Sequence, residues 1–257
     1  LRTRWRSNTE EERLLGVSLT GIMDCAILHK PDSDKTLKLL KDTVIATNKK
    51  WSKLLGIPQS TATTCVKPSG TVSQLTDSAS GIHARHAPYY VRTVRGDVKD
   101  SLTQFLMNQN IPNEPDFNSP SNTVVFSFPF KSPDAAICRT DMKALEQLHT
   151  WKRFSDHWCE HKPSVTVSVK EHEWIEVGNW CYKNFDSLSG ISFLPFSDHS
   201  YRQAPYQDST KEDYKKLCAD MPKSINWKEF DNYEKEDNTK ASQELACSAG
   251  VCEVVDI

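Results

Sequence analysis

The sequence predicts an α/β fold, and three observations lead there. Strand-like stretches alternate with helical ones, the helical stretches run to ten residues or more, and no part of the 257 residues repeats another or falls to low complexity. That alternation is the pattern of a parallel sheet with crossover helices.

Near the start, Thr9 and Glu12 form a capping-box pattern that predicts the beginning of a helix, and "GVSLTG" between Gly16 and Gly21 reads as a short strand. From Asp34 to Leu55, apolar residues at Leu37, Leu40, Val44, Trp51 and Leu54 recur at helical spacing, and Gly56 and Pro58 stop the helix. "TATTCV" reads as a strand, "KPSG" as a tight turn and "TVVFSF" (123–128) as another strand. Met142, Leu145, Leu148, Trp151, Phe154 and Trp158 mark a second amphipathic helix. "SVTVSV" is the cleanest strand, followed by a helix through "EHEWIEVGNWCYKNF", the strand "GISFLP" and a charged helix near "KEDYKKLCADM". From Asp231 to Ala246 apolar residues are too few for a core element, so one body is expected over 1–230 and a mobile tail over 231–257.

Composition narrows the function classes. With 32 basic and 34 acidic residues the net charge is −2, which argues against a broad nucleic-acid footprint; Arg2, Arg4 and Arg6 around Trp5 read as a solvated terminus before a basic arm. Eight cysteines in a chain of this length are too few for a secreted disulfide scaffold, and no apolar run reaches membrane-spanning length. A thiol-reducing, cytoplasmic setting is the expectation. The opening Leu1 predicts the downstream part of something longer.

Two features carry chemistry. Cys247 and Cys252 stand at the end of the tail with Ser248, Ala249 and Gly250 between them. A flexible tether of this kind spans about 20–25 Å and extends to about 55 Å, enough to carry a dithiol between a domain's surface and its interior. Such a pair can exchange with a buried disulfide and then with an external reductant. Half a metal site, or two inert thiols, are the other readings, and no neighbouring pair completes a zinc site. The second feature is "TTCVKPSGTVSQL", where a strand meets Pro68-Ser69-Gly70 and a helix or turn follows. Amides at Gly70, Thr71, Val72 and Ser73 would point outward there, with the Ser69, Thr71 and Ser73 hydroxyls beside them, and phosphate is a natural guest. An ordinary turn is the competing reading, and the Walker A spacing is missing. His83, Arg85, His86, Tyr89, Tyr90, Arg92 and Arg95 gather donors and rings that could line a polar pocket. His157, Cys159 and His161 lie two apart, a poor spacing for three ligands on a helix.

These stretches, with "GVSLTGIMD", "EWIEVGNWCY", "GISFLP", "QAPYQ" and "ELACSAGVCE", resemble the C-terminal part of adenosylcobalamin-dependent (class II) ribonucleotide reductases of the monomeric ribonucleoside-triphosphate reductase type, from about Leu14 to Glu253. The resemblance implies the C-terminal half of a ten-stranded α/β barrel with a flexible tail. It implies a phosphate cradle at Ser69, Gly70, Thr71, Val72 and Ser73, and a redox shuttle at Cys247 and Cys252 served by thioredoxin or a relative. It also implies adenosylcobalamin as cofactor, with Gly81, Ile82, His83, Tyr89, Tyr90, Tyr201, Pro205 and Tyr206 helping to bind it. Replacing a ribose 2′-hydroxyl by hydrogen needs a radical that no ordinary side chain can start, hence a cofactor. The family's Asn-Pro-Cys-Gly-Glu context for the radical cysteine is absent from this sequence. The other six cysteines are therefore read as buried or incidental, and the chain is expected to act only with a missing N-terminal half. A non-catalytic nucleotide-binding or dithiol-relay module is the alternative, and a zinc-stabilised interaction domain a third.

Overall fold

The computed structural model describes residues 2–70, 72–134, 136–196 and 201–234. In chain order the helices are α1 (Thr3–Glu12), α2 (Asp34–Leu55), α3 (Val72–Leu75), α4 (Ser101–Asn108), α5 (Ala144–His157), α6 (Trp174–Lys183) and α7 (Lys211–Asp220). The strands are β1 (Val17–Ser18), β2 (Thr64–Cys65), β3 (Tyr89–Asp97), β4 (Asn113–Pro115), β5 (Thr123–Lys131), β6 (Thr166–Val169), β7 (Ser192–Pro195) and β8 (Tyr206–Asp208). Two compact units emerge where one body was expected over 1–230: Leu1–Pro88 with Ser132–Asp198, and Tyr89–Lys131 with His199–Ile257. Thr71, Cys247 and Cys252 lie outside the described residues, as does the tail from 235 onward.

In the first unit β1 pairs with β2 and β6 with β7, both in parallel. The Ser164 amide donates to the Val66 carbonyl and so ties the second pair to the end of β2. One face of these strands is apolar, because α5 places Ala144, Leu148, Trp151 and Phe154 on one side at helical spacing, all fully buried against Val66, Val167 and Val169. Each large side chain so buried contributes about 1.5–3 kcal/mol, and Leu148→Ala would cost about 2–5 kcal/mol. The two indole N–H groups in that core are satisfied, Trp151 by the Pro163 carbonyl and Trp158 by the Cys65 carbonyl. Buried Glu173 accepts from the amides of Ala144 and Lys170, capping the start of α5 and the turn that leads into α6. Gly56, at φ 65°, closes α2 in the left-handed conformation its Gly-x-Pro signal predicts.

The second unit departs from the expectation of a parallel sheet with crossover helices. Its four strands run in the order β4-β5-β3-β8, and every pairing is antiparallel. β3 and β5 pair over nine residues, from Tyr89↔Lys131 to Asp97↔Thr123, so "TVVFSF" lies in a long antiparallel ladder even though α4 stands in the connection between them. Just inside the first unit, the Ser132 amide donates to the Pro88 carbonyl at 3.0 Å. Phe105 of α4 packs against Trp227, Phe230 and Tyr233. Buried Gln203, held at φ 57°, accepts from the Phe117 amide and donates to Glu114 and the Pro115 carbonyl.

α1 is a second correction. Thr9 and Glu12 end this helix, they do not start it: the Thr9 hydroxyl donates back to the Trp5 carbonyl, and Arg13 caps the end at φ 42°. The helix buries no residue, so an Arg6–Glu10 pair one turn apart and the polar surface suffice to let it begin earlier than its capping signal.

Candidate functional site

The stretch after β2 is built by hydrogen bonds internal to the first unit. The Ser69 hydroxyl accepts from the Ser73 amide at 2.7 Å, and the Ser73 hydroxyl donates to the Ser69 carbonyl. The Ser69 amide donates to the Ser80 hydroxyl at 3.0 Å, and that hydroxyl donates back to the Ser69 carbonyl. This corrects part of the expected cradle. Ser73 is fully buried, and its amide, like that of Ser69, is spent on shaping the loop. Gly70 and Val72 are exposed, and their amides take no partner among the described residues. α3 is one turn long, and the Lys67 ammonium before the loop sits 3.3 Å from the Ser164 hydroxyl.

The "SGIH" stretch holds this loop from below. Gly81 sits at φ 55°, and a Cβ there would lie 2.8 Å from the Lys67 carbonyl oxygen, so only glycine allows the approach. Its amide donates to the Thr20 hydroxyl at 2.9 Å, and its carbonyl accepts from the Ile22 amide. "GVSLTGIMD" completes the set: the Gly21 amide donates to the Ala79 carbonyl, the Ala79 amide to Asp24 at 2.7 Å, and the Lys67 amide to the Ser18 hydroxyl. Arg85 locks the assembly, with its guanidinium, 4% exposed, 3.0 Å from both Asp24 and Asp77. Three sequence stretches that look independent are thus one hydrogen-bonded body around the Ser69–Gly70 turn. Asp24, Thr20 and Ser80 carry it without having been singled out as functional from the sequence, and Arg85, read there as a pocket-lining donor, is instead a buried ion-pair partner.

His83 is spent within the protein. Its Nδ1 faces the Ser80 carbonyl at 3.2 Å and its Nε2 accepts from the Thr166 amide at 3.1 Å, an arrangement that requires the neutral ring with its proton on Nδ1. Burial pushes its pKa below the ordinary histidine value, against the smaller opposing pull of the Ser80 carbonyl. In the second unit Arg92 lies 4.4 Å over the Tyr206 ring and Arg95 pairs with Asp116 at 2.8 Å.

The residues expected beside adenosylcobalamin divide between the units. In the first, Gly81 and Ile82 are buried, and Ile82 and His83 line a pocket of only about 60 Å³. In the second, Tyr90 is 3% exposed and stacks on Phe130, Tyr89 packs on Tyr214, Tyr206 lies under Arg92, Pro205 gives its carbonyl to Arg92, and Tyr201 is exposed. Apart from exposed Tyr201, these residues pack within their own units. The described residues contain no cluster of metal-ligating side chains: His157 pairs with Asp34 and His161 bonds the Leu15 and Ala62 carbonyls.

The six described cysteines are free thiols. Burial, then the neighbouring Cys65 thiol, pushes Cys159 up to about 12, and burial raises Cys138 and Cys181. None of these three is a ready nucleophile.

No protein-family profile matches the chain. A Lactobacillus helveticus protein named adenosylcobalamin-dependent ribonucleoside-triphosphate reductase is 25% identical over 97% of this chain and 37% of its own length. A Levilactobacillus brevis protein of the same name is 24% identical over the same shares. A Dictyostelium discoideum protein given that activity is 27% identical over 98% of the chain and 34% of its own length. A crystal structure of a B12-dependent (class II) ribonucleotide reductase superposes with a TM-score of 0.74 at 23% identity, covering 89% of this chain and 36% of that one. The chain is similar to part of such a reductase. It spans little more than a third of the length of the curated relatives it matches. The likeness to the solved structure shows the fold, mixed α/β, and the parallel and antiparallel pairings together agree with that description. No helix among the described residues is long and apolar enough to cross a membrane.

Proposed function

We propose that the chain is the C-terminal part of an adenosylcobalamin-dependent ribonucleoside-triphosphate reductase, contributing half of a ten-stranded α/β barrel. The observation that carries the reading is similarity over 97% of the chain to relatives of that name. The stretches that best express it, around Thr20, Ser69 and Gly81, are the ones the fold fastens together. In this reading the Gly70 and Val72 amides, with Thr71 between them, grip the phosphates of a ribonucleoside triphosphate, while Ser69 and Ser73 set the shape of the loop. Buried Arg85 between Asp24 and Asp77 keeps that shape fixed as charge arrives. Adenosylcobalamin is the cofactor in this reading, and Gly81, Ile82, His83, Tyr89, Tyr90, Tyr201, Pro205 and Tyr206 are the residues of this chain that would help to hold it.

Cys247 and Cys252 act as the shuttle. One thiolate attacks a disulfide in the reaction chamber, the second resolves the mixed disulfide, and the pair leaves oxidised while the chamber's cysteines regain two electrons and two protons. A thioredoxin-type dithiol then returns two electrons and two protons to the pair. The raised pKa values of Cys138, Cys159 and Cys181 favour the terminal pair for this work over those three.

The test is reconstitution. The chain mixed with a polypeptide covering the rest of a relative, adenosylcobalamin and a ribonucleoside triphosphate should yield deoxynucleotide. Cys247→Ser or Cys252→Ser should abolish turnover driven by thioredoxin and spare turnover driven by dithiothreitol. Equal loss with both reductants removes the shuttle role, and no product in any combination favours the non-catalytic binding module.

A further inference from the structure

β6 is apolar on one face only. Val167 and Val169 are buried in the core with α5, while Thr166 and Ser168 point the other way, and the alternation runs on past the strand to Lys170. Parallel strands are ordinarily covered and apolar on both faces, so a row of two hydroxyls and an ammonium marks a face kept for a polar ligand. The edge of β6 away from β7 carries side chains where a neighbouring strand would stand. His83 accepts from the Thr166 amide, and Gln147 accepts from the Ser168 amide and donates to the Ser168 carbonyl. With Arg139, Met142 and Val165 these side chains wall the pocket of about 60 Å³ that Thr166 and Ser168 also line. Arg139 and Lys170 share an aromatic neighbour, their charged groups lying 5.6 and 5.4 Å from the centroid of the Phe196 ring. The ring offsets part of their mutual repulsion. Among the described residues the Lys170 ammonium has no carboxylate partner, and the Thr166 and Ser168 hydroxyls make no hydrogen bond.

We infer that this pocket and its two cations form a site for a single phosphate group, either free orthophosphate or the terminal group of a larger phosphorylated molecule. Space sets the size: about 60 Å³ is roughly two waters' worth, enough for one tetrahedral oxyanion and too little for a base or a sugar. Charge sets the sign. Arg139 and Lys170 supply charge-assisted hydrogen bonds to the oxyanion, and the Thr166 and Ser168 hydroxyls, two positions apart on one strand face, donate to its remaining oxygens. Lys170 and Phe196 stand at the carboxyl ends of β6 and β7, the end at which α/β sheets take their ligands. The site uses none of the groups assigned to the Ser69–Gly70 loop, and it stands whether or not the chain serves a reductase.

The experiment titrates the full chain with orthophosphate, and separately with a nucleoside triphosphate, at fixed ionic strength, following ¹⁵N amide shifts and the heat of binding. Shifts should concentrate at 166–170 and at the Arg139 side chain. Lys170→Gln should weaken binding about tenfold or more, and Ser168→Ala, a smaller change that leaves β6 its valines, should weaken it as well. Lys183→Gln, at an exposed position on α6, should leave it unchanged. Thermal unfolding of each variant separates lost binding from lost fold. Orthophosphate bound as tightly as the nucleotide assigns the site to the free ion. A nucleotide bound at least tenfold more tightly, with the same dependence on Lys170, assigns it to a terminal phosphate; either result supports the site. Shifts confined to 70–72, binding that ignores both Lys170→Gln and Ser168→Ala, or no shift at 166–170 with any of these anions overturns the inference, and none of those outcomes touches the similarity on which the functional reading rests.

Discussion

Replacing Gly81 by alanine puts the fastening beneath the Ser69–Gly70 loop to a quantitative test. An L-residue at φ 55° costs about 1–2 kcal/mol relative to glycine. The new Cβ would stand 2.8 Å from the Lys67 carbonyl, a backbone atom that cannot rotate away, so the two segments must part. Parting them strains the bond from the Gly81 amide to Thr20 and that from the Ile22 amide to Gly81, each worth about 1 kcal/mol. The expected loss is therefore about 2–4 kcal/mol. Gly70→Ala is the control, because nothing lies within 4 Å of its Cβ and its φ is ordinary; it should stay within about 0.5 kcal/mol. Urea unfolding followed by the fluorescence of Trp151 and Trp158, both in the first unit's core, should show a midpoint lower by about 1 M or more for Gly81→Ala. Titration with inorganic triphosphate should show weaker binding in the same variant. If the two glycine variants unfold at the same urea concentration, the close contact between Gly81 and Lys67 does not hold the loop and the reasoning fails.

Other outcomes follow from the same geometry. His83, whose pKa is lowered, contributes stability that is present above about pH 6.5 and is lost as pH falls through its folded value; His83→Gln should flatten that decline, and ¹⁵N shifts should report the proton on Nδ1. Glu160 accepts from the Thr63 hydroxyl and from the Thr63 and Thr64 amides; burial opposes ionisation, but these bonds outweigh it and lower the pKa. Its stabilisation is present above about pH 4.5 and lost as pH falls further, so Glu160→Gln should remove part of the acid limb of an unfolding curve. With a pKa of about 12, Cys159 exposes on the order of 10⁻⁴ of its thiol as thiolate at pH 8, so iodoacetamide should label exposed Cys218 long before Cys159 in the native chain. Early labelling of Cys159 would contradict its burial.

The helices α2, α5, α6 and α7 were legible because their apolar residues keep helical spacing, and β6 and β7 because their β-branched and apolar runs are bounded by turns. β3 was not. Its Arg92 and Arg95 break the apolar alternation, and both are satisfied by partners far along the chain, the Pro205 carbonyl and Asp116. A one-dimensional reading therefore took them for ligand donors. The Ser69–Gly70 loop was legible as a strand-turn-helix junction, yet which amides face outward depends on Ser80, eleven residues beyond Ser69, and no local pattern encodes that bond. The ion pairs of Arg85 are equally remote in sequence, since Asp24 lies 61 positions away.

The way the second unit interrupts the first bears on how the chain reaches its native state. Because Tyr89 pairs with Lys131, a β3–β5 ladder that zips early, with α4 and β4 in its connection, delivers Pro88 and Ser132 to each other already neighbours. Part of the polymer entropy of joining the halves of the first unit is then met in advance, and α5 can search for β2 as if the intervening residues were a short link. Newly made protein would gain most from this order of events, since the segment bearing α5 leaves the ribosome only after β3 and β5 have been made.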